Sequence, residues 1–555
     1  MPMPNGQDVP ANTGAWGRGP ALATAAAVFV SVSSIYLLLR PPLFNYDGYI
    51  YRLQALGPAQ GVYINPHHLL WYPIQKAIAE VTSAVASPSP EAFQLFGILI
   101  NAFSLALFCL LLVRLTKRLA LPLAMTIFIA FSPRIWNLGL QNQPYPLLDL
   151  FVVAFLWTVA ETGAPSRRRL AAGGLALFAA VMLHQAMALV VAAVAAGLVL
   201  AGAGPFKDRL KLAAGWAGGT ALGVAAAYAL MARVAGVKPA GFLNWSLMYL
   251  HTQHGLQVHW PQAAVKSTIG VIGTVLETAW VRNLLNPQEN AEAYWRLYGG
   301  LLVAGCAVVA ALGSRHRVRE RLIRLWSSNA SVVMLALAWS AFVFFWEPVG
   351  YYWSVDLFPF ALLASLWLRE SRKPSALWVA GVLVAVSGWN LYANHRQDQA
   401  YRVNFPPPLL EQIRAQLGPN DVFIVAGRDW YANIDYDLLL ACLDDWPNDP
   451  ALALLDEYVM AGSREPWQQK LDRDIQTAFA AGGRVFVADH VFWSETYQDL
   501  ERTADPFAEY ARAEFAGVNG ERLRGEIQSF FARYRLAESG FKIAADRYWE
   551  LKRSE

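Results

Sequence analysis

The chain has 555 residues, of which 55% are hydrophobic and only 15% are charged. Soluble globular proteins carry roughly a quarter charged residues, so this composition excludes an ordinary soluble multidomain protein. The formal net charge of +4 combines two unlike parts, because residues 401–555 hold 17 Lys+Arg and 26 Asp+Glu whereas the preceding residues hold 28 and 15. The basic excess is confined to the apolar part, which excludes nucleic acid as a partner.

Apolar segments divide the part of the chain before residue 400. Roughly 20 apolar residues cross a ~30 Å hydrocarbon core as a helix, and this measure predicts about 11 transmembrane helices. They begin near residues 21, 95, 119, 147, 170, 186, 212, 298, 329, 353 and 376. The first segment lacks a small-residue cleavage site, so we expect it to remain as a helix.

Positive charges cluster after every second predicted helix. The clusters are Arg114/Lys117/Arg118, Arg167–Arg169, Lys207/Arg209/Lys211, Arg315–Arg324 and Arg369/Arg372/Lys373. Cytoplasmic loops carry such an excess of Lys and Arg. The pattern therefore predicts a multi-pass plasma (inner) membrane protein with residues 1–20 as a cytoplasmic tail, 21–396 as the transmembrane part and 397–555 as an extracytoplasmic domain. The predicted outer loops are 41–94, 133–146, 234–296 and 346–353.

The polar C-terminal part has the pattern of an α/β domain. Residues 421–426 (DVFIVA) and 484–488 (RVFVA) are short apolar runs typical of buried strands, and 541–544 and 548–551 are weaker strand candidates. Helical spacing occurs at residues 435–443, 467–480 and 520–536. The predicted fold class is thus a polytopic α-helical membrane protein with a C-terminal soluble α/β domain.

An acid stands where the first predicted helix leaves the membrane. Asp47 lies within Asn45-Tyr46-Asp47-Gly48-Tyr49, and Arg52 follows about one helical turn later. A charge near lipid is costly and calls for a reason. Such a carboxylate can accept a proton from the hydroxyl or amine of a substrate as a general base. The structural alternative is that Asp47 caps a surface helix and pairs with Arg52.

Other polar residues are predicted on the same face. His67 and His68 are adjacent, and we expect them to diverge on a helix and therefore not to share a metal, although one can hydrogen-bond a phosphate. Arg134 is one of few cations on this face, and it either binds a phosphate or anchors a helix end. His184 lies between two apolar segments, where it faces a cavity or ends a helix.

The later outer loops are aromatic and contain further histidines. His251 and His254 have a spacing that suits a metal, but no acid or cysteine lies nearby in the sequence to complete such a site. Trp346, Glu347 and Tyr352 belong to an aromatic cluster at the predicted membrane surface. Such a cluster is either an ordinary interfacial belt or a platform on which sugars stack.

Taken together, the arrangement resembles the C-type membrane glycosyltransferases, which use sugars linked to lipid phosphates. This class includes protein O-mannosyltransferases, aminoarabinose transferases and oligosaccharyltransferases. The resemblance rests on one helix followed by a long outer loop with an early acid and two surface helices, and on short motifs. The motifs are Tyr46-Asp47-Gly48-Tyr49, Asn65-Pro66-His67-His68, Gln143-Pro144-Tyr145, Leu183-His184-Gln185, and Trp346-Glu347-Pro348 with Tyr352.

The resemblance implies transfer of a sugar from a polyprenyl-phosphate-linked donor to an extracytoplasmic glycan, lipid or protein acceptor. It implies that Asp47 activates the acceptor and that groups on adjoining outer loops hold the donor phosphate. We assign the donor phosphate to Arg52, His67, His68 and Arg134. We assign substrate contacts to Tyr49, Gln143, Tyr145, His184, Trp346, Glu347 and Tyr352.

The chain departs from this class at two positions. Many members carry an acidic pair in the first loop, where Gly48 follows Asp47 here, and many carry an acid in the second loop, where this chain has Gln143. Both departures disfavour a divalent metal, so we expect no cofactor.

Two other functions share parts of the pattern. A polymerase or ligase of lipid-linked glycans would have a similar topology. A secondary transporter usually places ionisable or helix-breaking residues near the middle of the membrane and shows repeat symmetry. Here the charges lie at the predicted outer edge and a soluble domain ends the chain, so the transporter is the weaker alternative.

Overall fold

The computed structural model describes the chain in segments. The described residues are 18–40, 51, 66–83, 90–160, 166–201, 204–234, 237, 239–247, 262–276, 300–301, 303, 316–345, 350–369, 373–404, 418, 420–425, 451–455, 466–492, 520–543 and 546–553. Several residues singled out from the sequence lie outside this set, so their predictions stay predictions. These are Asp47, Tyr49, Arg52, His251, His254, Trp346 and Glu347.

Helices make up most of the described part before residue 405. The first seven are α1 (Arg18–Leu39), α2 (Trp71–Ser83), α3 (Pro90–Thr116), α4 (Ala120–Ala130), α5 (Pro133–Gly139), α6 (Tyr145–Val159) and α7 (Arg167–Leu183). The next seven are α8 (Met187–Ala201), α9 (Phe206–Val234), α10 (Phe242–Ser246), α11 (Gln262–Val275), α12 (His316–Phe345), α13 (Ser354–Arg369) and α14 (Lys373–Asn404). Short 3₁₀ helices occur at Pro66–His68, Pro239–Gly241 and Gly350–Trp353.

Several of these helices can cross a membrane. Within the described residues, five helices are long and apolar enough (α1, α3, α9, α12 and α14), and a sixth span results if the bent pair α4–α5 is counted as one. Helices α6 and α8 are apolar but shorter. Every predicted transmembrane segment coincides with a helix except the one near residue 298, of which only residues 300, 301 and 303 are described. The predicted polytopic helical fold is confirmed.

The bend between α4 and α5 shows how this core tolerates interrupted helices. The two helices meet at 64°, and Pro133 opens α5 because it needs no backbone donor there. The Tyr36 hydroxyl donates to the Ala130 carbonyl at 2.5 Å, and the Asn394 amide donates to the Phe131 carbonyl at 3.3 Å. Side chains from α1 and α14 thus satisfy carbonyls that the bend frees, as a chain in lipid requires.

The C-terminal part contains a five-stranded mixed sheet. Its strands are β1 (Val422–Val425), β2 (Ala451–Leu454), β3 (Val485–Ala488), β4 (Tyr534–Ile543) and β5 (Asp546–Arg553), in the order β2-β1-β3-β5-β4. Strand β1 pairs in parallel with β2 and β3, whereas β5 pairs antiparallel with β3 and β4. In the described part of this domain, two helices accompany the sheet, α15 (Trp467–Ala480) and α16 (Gly520–Phe531). The predicted α/β class of this part is confirmed.

Two boundaries in this domain differ from the sequence prediction. The helix predicted over residues 520–536 ends at Phe531, because β4 begins at Tyr534 and pairs with β5 from that residue onward. Pairing across a hairpin outweighs the local helical preference there. Strand β2 was not predicted, because its Ala-Leu alternation is equally compatible with a helix. The helix predicted over residues 435–443 lies outside the described residues.

Candidate functional site

Two interruptions of the helical part meet at one place. The 3₁₀ helix Pro66–His68 lies against the break between α7 and α8, where His184 has an extended backbone. The Leu70 amide donates to the Met182 carbonyl at 2.9 Å, and the Gln185 amide donates to the His67 carbonyl at 3.3 Å. Backbone hydrogen bonds therefore fix the first outer loop against the end of α7.

Three histidine rings lie together at this junction, and we call them the histidine cluster: His67, His68 and His184. The Nε2 atoms of His67 and His184 are 3.1 Å apart, so one donates and the other accepts. The His68 Nδ1 donates to the Leu183 carbonyl at 2.5 Å. The prediction that His67 and His68 diverge is wrong: their ring centroids are 4.5 Å apart, because both rings turn toward the α7–α8 break.

Aromatic side chains surround the ring of His184. The Tyr352 ring centroid lies 5.1 Å away and the Trp339 centroid 5.3 Å away, while Tyr145 and Tyr352 are 5.9 Å from each other. Trp339 donates its indole N–H to the Tyr352 carbonyl at 2.7 Å, which holds the 3₁₀ helix Gly350–Trp353 against α12. Three predicted substrate residues thus meet at the cluster, and Trp339 is an addition that the sequence did not reveal.

The electrostatics of the cluster follow from its enclosure. Burial lowers the pKa of His67 well below its ordinary value, and the neighbouring histidines lower it further. Burial also lowers the pKa of His68 to about 4. Both rings are therefore uncharged at neutral pH. The ring of His184 is fully buried, and its Nδ1 has no hydrogen-bond partner among the described residues.

A buried polar loop joins α5 to α6 beside this region. Gln141, Asn142 and Gln143 are all buried, and the Asn142 side-chain amide donates to Gln75 Oε1 of α2 at 2.8 Å. Gln143 was predicted to contact substrate. Gln75 and Asn142, whose side chains pair with each other here, were not predicted as site residues. The sequence did offer a signal for this network, namely the run of amide side chains from Gln141 to Gln143 just before an apolar helix.

Arg134 occupies a neighbouring position on α5. A side chain at Gly273 of α11 would lie 3.7 Å from the Arg134 Nη2, so the guanidinium borders α11. Helix α5 also contacts the 3₁₀ helix that carries Tyr352. Arg134 is therefore placed on an element next to the histidine cluster, and its phosphate role stays a prediction.

Acidic and thiol ligands do not join these histidines in the described part of the chain. Within those residues, no group of three or more His, Cys, Asp or Glu side chains has a geometry that could hold a metal ion. The cluster's chemistry is therefore that of imidazole N–H donors, tyrosine hydroxyls and aromatic faces.

Several solved structures are similar to this chain, whereas sequence comparisons find no relative. No family model and no curated protein sequence matches the chain. Among solved structures, it is similar to ArnT from Cupriavidus metallidurans bound to undecaprenyl phosphate, with 12% identity, a TM-score of 0.49, and coverage of 96% of this chain and 97% of that one. It is also similar to the Archaeoglobus fulgidus oligosaccharyltransferase in complex with Zn and sulfate, with 13% identity, a TM-score of 0.44, and coverage of 93% and 72%.

Oligosaccharyltransferases are among the C-type enzymes that the sequence resembles. A structure of the Archaeoglobus fulgidus enzyme AglB with an inhibitory peptide and a dolichol-phosphate has 12% identity and a TM-score of 0.41, with coverage of 95% of this chain and 74% of that one.

Proposed function

We propose that this protein is a membrane glycosyltransferase that moves one sugar from a polyprenyl-phosphate-linked donor to an extracytoplasmic acceptor. The observation that carries the proposal is the histidine cluster, built with Tyr145 and Tyr352 where apolar helices begin and end. Buried polar groups in a membrane protein are costly, and they are usually retained for function.

Uncharged histidines suit a site that must hold a phosphate only part of the time. A permanent cation buried beside lipid costs several kcal/mol, on the order of the desolvation penalty of a charge in protein. A neutral imidazole avoids that cost in the empty site. The N–H of neutral His68 is already given to the Leu183 carbonyl, whereas in the His67–His184 pair the ring that accepts at Nε2 carries its own N–H on Nδ1. When a phosphate arrives, its negative charge raises the histidine pKa, so the ring can take up a proton and pair with the ligand.

The aromatic surround suits a sugar attached to that phosphate. The rings of Tyr145, Tyr352 and Trp339 surround His184 in tilted or edge-on contacts, and the two tyrosines also carry hydroxyl groups. A sugar has apolar C–H faces and polar edges, which stack on aromatic rings and accept hydrogen bonds. The predicted contacts of Gln143, Trp346 and Glu347 with substrate belong to the same proposal.

The membrane setting suits a lipid carrier. The cluster lies at the start of α6 and the end of α7, which pack against each other. The basic residues Arg167 and Arg169 lie at the opposite end of α7, about 26 Å away for a helix of 17 residues. We place the basic end in the cytoplasm, which puts the cluster and residues 397–555 on the extracytoplasmic side.

Chain connectivity brings the proposed base near the cluster. Tyr51 lies edge-to-face with His68 and with Trp71, each at a centroid distance of 6.2 Å. Asp47 precedes Tyr51 by four positions, so the two Cα atoms are at most about 14 Å apart. This distance supports a role for Asp47 as the general base of the site.

In the proposed reaction, Asp47 takes the proton of an acceptor hydroxyl or amine. The acceptor oxygen or nitrogen forms a bond to the anomeric carbon while the bond from that carbon to the phosphate oxygen breaks. Polyprenyl phosphate leaves with the bonding electron pair. Donors from His67, His68 and Arg134 then stabilise the charge that develops on the leaving phosphate, which is the interaction that accelerates such a step.

The first experiment replaces the proposed base. Asp47→Asn keeps the size and capping ability of the side chain but removes its basicity. We expect this variant to fold and bind donor lipid but to transfer sugar at least about a hundredfold more slowly, since a positioned base contributes about 10²–10⁴-fold. The assay follows release of polyprenyl phosphate by the purified full-length protein.

Glu80→Gln is the matched control, because Glu80 is an exposed acid on α2 of the same loop. It should turn over like the wild type. Normal turnover by Asp47→Asn would exclude Asp47 as the base. Loss of folding in that variant would favour the capping role.

A further inference from the structure

A deep groove separates α7 and α9 at the end opposite to the histidine cluster. It has a volume of about 1070 Å³, and charged residues stand at its mouth: Arg167, Asp208 and Lys211. From there it runs along apolar side chains and glycines of the two helices. This size lies at the upper end of pockets that enclose drug-sized ligands, roughly 300–1,000 Å³.

Two glycines of α9 leave the groove open, because neither of them packs against a neighbouring helix. A Cβ placed at Gly215 or Gly219 would meet no atom within 4 Å. The two helices do pack at Trp216, whose indole donates to the Leu170 carbonyl at 2.8 Å, and a Cβ at Gly174 would lie 3.0 Å from that indole nitrogen. This hydrogen bond fixes the floor, so the groove has a defined shape.

The groove faces the lipid. Helix α9 is the least buried of the five long apolar helices, with only 17% of its span buried inside the protein. Leu175, which lines the groove, and Leu222 are strongly exposed on the same two helices. In a membrane these surfaces contact acyl chains, so a hydrocarbon chain enters the groove without crossing water.

The mostly basic residues at the mouth of the groove favour an anionic headgroup. Arg167 and Lys211 line it with a single acid, Asp208, and further cations follow on the same helix starts. These are Arg168, Arg169, Lys207 and Arg209. Basic pockets between membrane helices on the cytoplasmic side recognise anionic headgroups. A second copy of the chain would bring two cationic mouths together, and the resulting repulsion disfavours it as the occupant.

We propose that this groove binds one anionic phospholipid of the cytoplasmic leaflet, with its phosphate at Arg167 and Lys211 and one acyl chain along Gly215 and Gly219. The site is distinct from the histidine cluster because the two lie at opposite ends of α7. The inference depends on insertion in a membrane and not on sugar transfer, so it stands or fails separately from the proposed reaction.

The test measures thermal unfolding of the full-length protein in phosphatidylcholine nanodiscs that contain increasing fractions of phosphatidylglycerol. A lipid that binds only the folded state raises the unfolding temperature by mass action. We expect phosphatidylglycerol to stabilise the wild type in a saturable manner. Added salt should weaken this stabilisation, because the headgroup contact is electrostatic.

Substitutions at the mouth of the groove test the headgroup contact, and a substitution at a glycine tests the acyl-chain contact. Arg167→Gln and Lys211→Gln should each weaken the apparent affinity for phosphatidylglycerol about fivefold, which corresponds to about 1 kcal/mol per basic residue near an anionic surface. Arg168→Gln is the control for charge, since Arg168 does not line the groove. Gly219→Leu should abolish the response by filling the groove. Gly381→Leu on α14 is its control, because a Cβ there also meets no atom within 4 Å.

Three results would overturn the proposal. An unfolding temperature that stays constant as phosphatidylglycerol replaces phosphatidylcholine would remove the preference for an anionic headgroup. A full response to phosphatidylglycerol in Gly219→Leu would show that the lipid binds elsewhere. Wild-type dimers in nanodiscs that Gly219→Leu converts to monomers would identify a second copy of the chain as the occupant.

Discussion

Buried polar side chains serve different purposes in the two parts of this protein. In the sheet domain, the carboxylate of Asp421 accepts hydrogen bonds from the Gly418 amide at 2.9 Å and the Arg484 amide at 2.7 Å, and it pairs with the Arg484 guanidinium at 2.6 Å. In the helical part, one ring nitrogen of His184 faces His67, and the other has no hydrogen-bond partner among the described residues.

The difference indicates where ligands are expected. Both oxygens of Asp421 already have partners, so this carboxylate ties β1 to the start of β3 and has little left to offer a substrate. His184 retains an unused polar atom inside an aromatic surround. A buried polar group without a partner is rare in a folded protein and calls for an explanation, of which a ligand is one.

The largest effect is expected for a substitution of His184, which tests whether its unused ring nitrogen serves a ligand. His184→Gln keeps one donor and one acceptor but removes the ring and its ability to become charged. A hydrogen bond to a charged group contributes about 1.5–3 kcal/mol, so we expect donor-lipid affinity to fall about 10- to 150-fold. Binding of labelled polyprenyl-phosphate-sugar to the purified protein measures it.

His490→Gln is the matched control, because His490 is also fully buried but lies in the sheet domain. Donor affinity should be unchanged in that variant. If both substitutions weaken donor binding equally, the loss reflects general destabilisation, and the distinction between the two parts fails.

The second prediction tests the structural side. Asp421→Asn leaves the Gly418 and Arg484 amides and the Arg484 guanidinium poorly paired, so the free energy of local unfolding of β1 and β3 should fall by about 1–3 kcal/mol. Hydrogen exchange of the Val422–Val425 and Val485–Ala488 amides in the full-length protein measures this change. Donor affinity should not change. A Asp421→Asn variant that loses donor affinity while its sheet stays protected would contradict this assignment.

The third prediction concerns pH and the histidine cluster. The unfolded chain protonates His68 near its ordinary pKa of about 6.5, whereas the folded chain does so near pKa 4, so the unfolded state binds more protons in between. Stability is therefore fully present above about pH 6.5 and is lost as pH falls toward 4. At pH 5.5 the loss due to His68 alone is about 1.4 kcal/mol.

Thermal unfolding of the wild type and of His68→Gln at pH 7 and pH 5.5 isolates this contribution. Among the described residues, the other titratable groups around the His68 ring are His67, His184, Tyr51 and Tyr145, and they are present in both proteins. The wild type should lose more stability on acidification than the variant. Identical losses would show that His68 is not the responsible group.

The smallest effect is expected at Arg134. Arg134 as a residue is partly exposed, although its Nε is buried, so a contact with the donor phosphate should contribute at most about 1 kcal/mol, or about fivefold in affinity, when Arg134→Gln removes it. Arg114→Gln is the control, since Arg114 stacks on Trp157 away from the outer loops. Unchanged donor affinity combined with poor expression would identify Arg134 as a helix anchor.

The sequence predicted the helices well, because a long apolar run has few alternatives to a membrane helix. It also identified His67, His68, Tyr145, His184 and Tyr352 individually. Their convergence was not predictable from spacing, since it depends on hydrogen bonds between the first loop and the end of α7. Trp339 was missed because a tryptophan in an apolar helix has the same pattern whether it faces lipid or a site.

The errors have a similar origin. Local pattern suggested that His67 and His68 diverge, but the positions of both rings are determined by partners more than a hundred residues away. Strand β2 and the start of β4 were misjudged because pairing with distant strands determines them. Where a neighbour remote in sequence decides the outcome, a single chain's periodicity is insufficient.

The hydrogen bond from His68 to Leu183 also determines when, during synthesis of the chain, the histidine cluster can assemble. The two residues are 115 positions apart, and α2 to α7 lie between them in the chain. When Pro66–His68 leaves the ribosome, the Leu183 carbonyl and the His184 ring, to which its histidines will bond, have not yet been synthesised. The histidine cluster therefore assembles late in membrane insertion, since a nascent chain that stalls before Leu183 lacks both His184 and the carbonyl that holds His68.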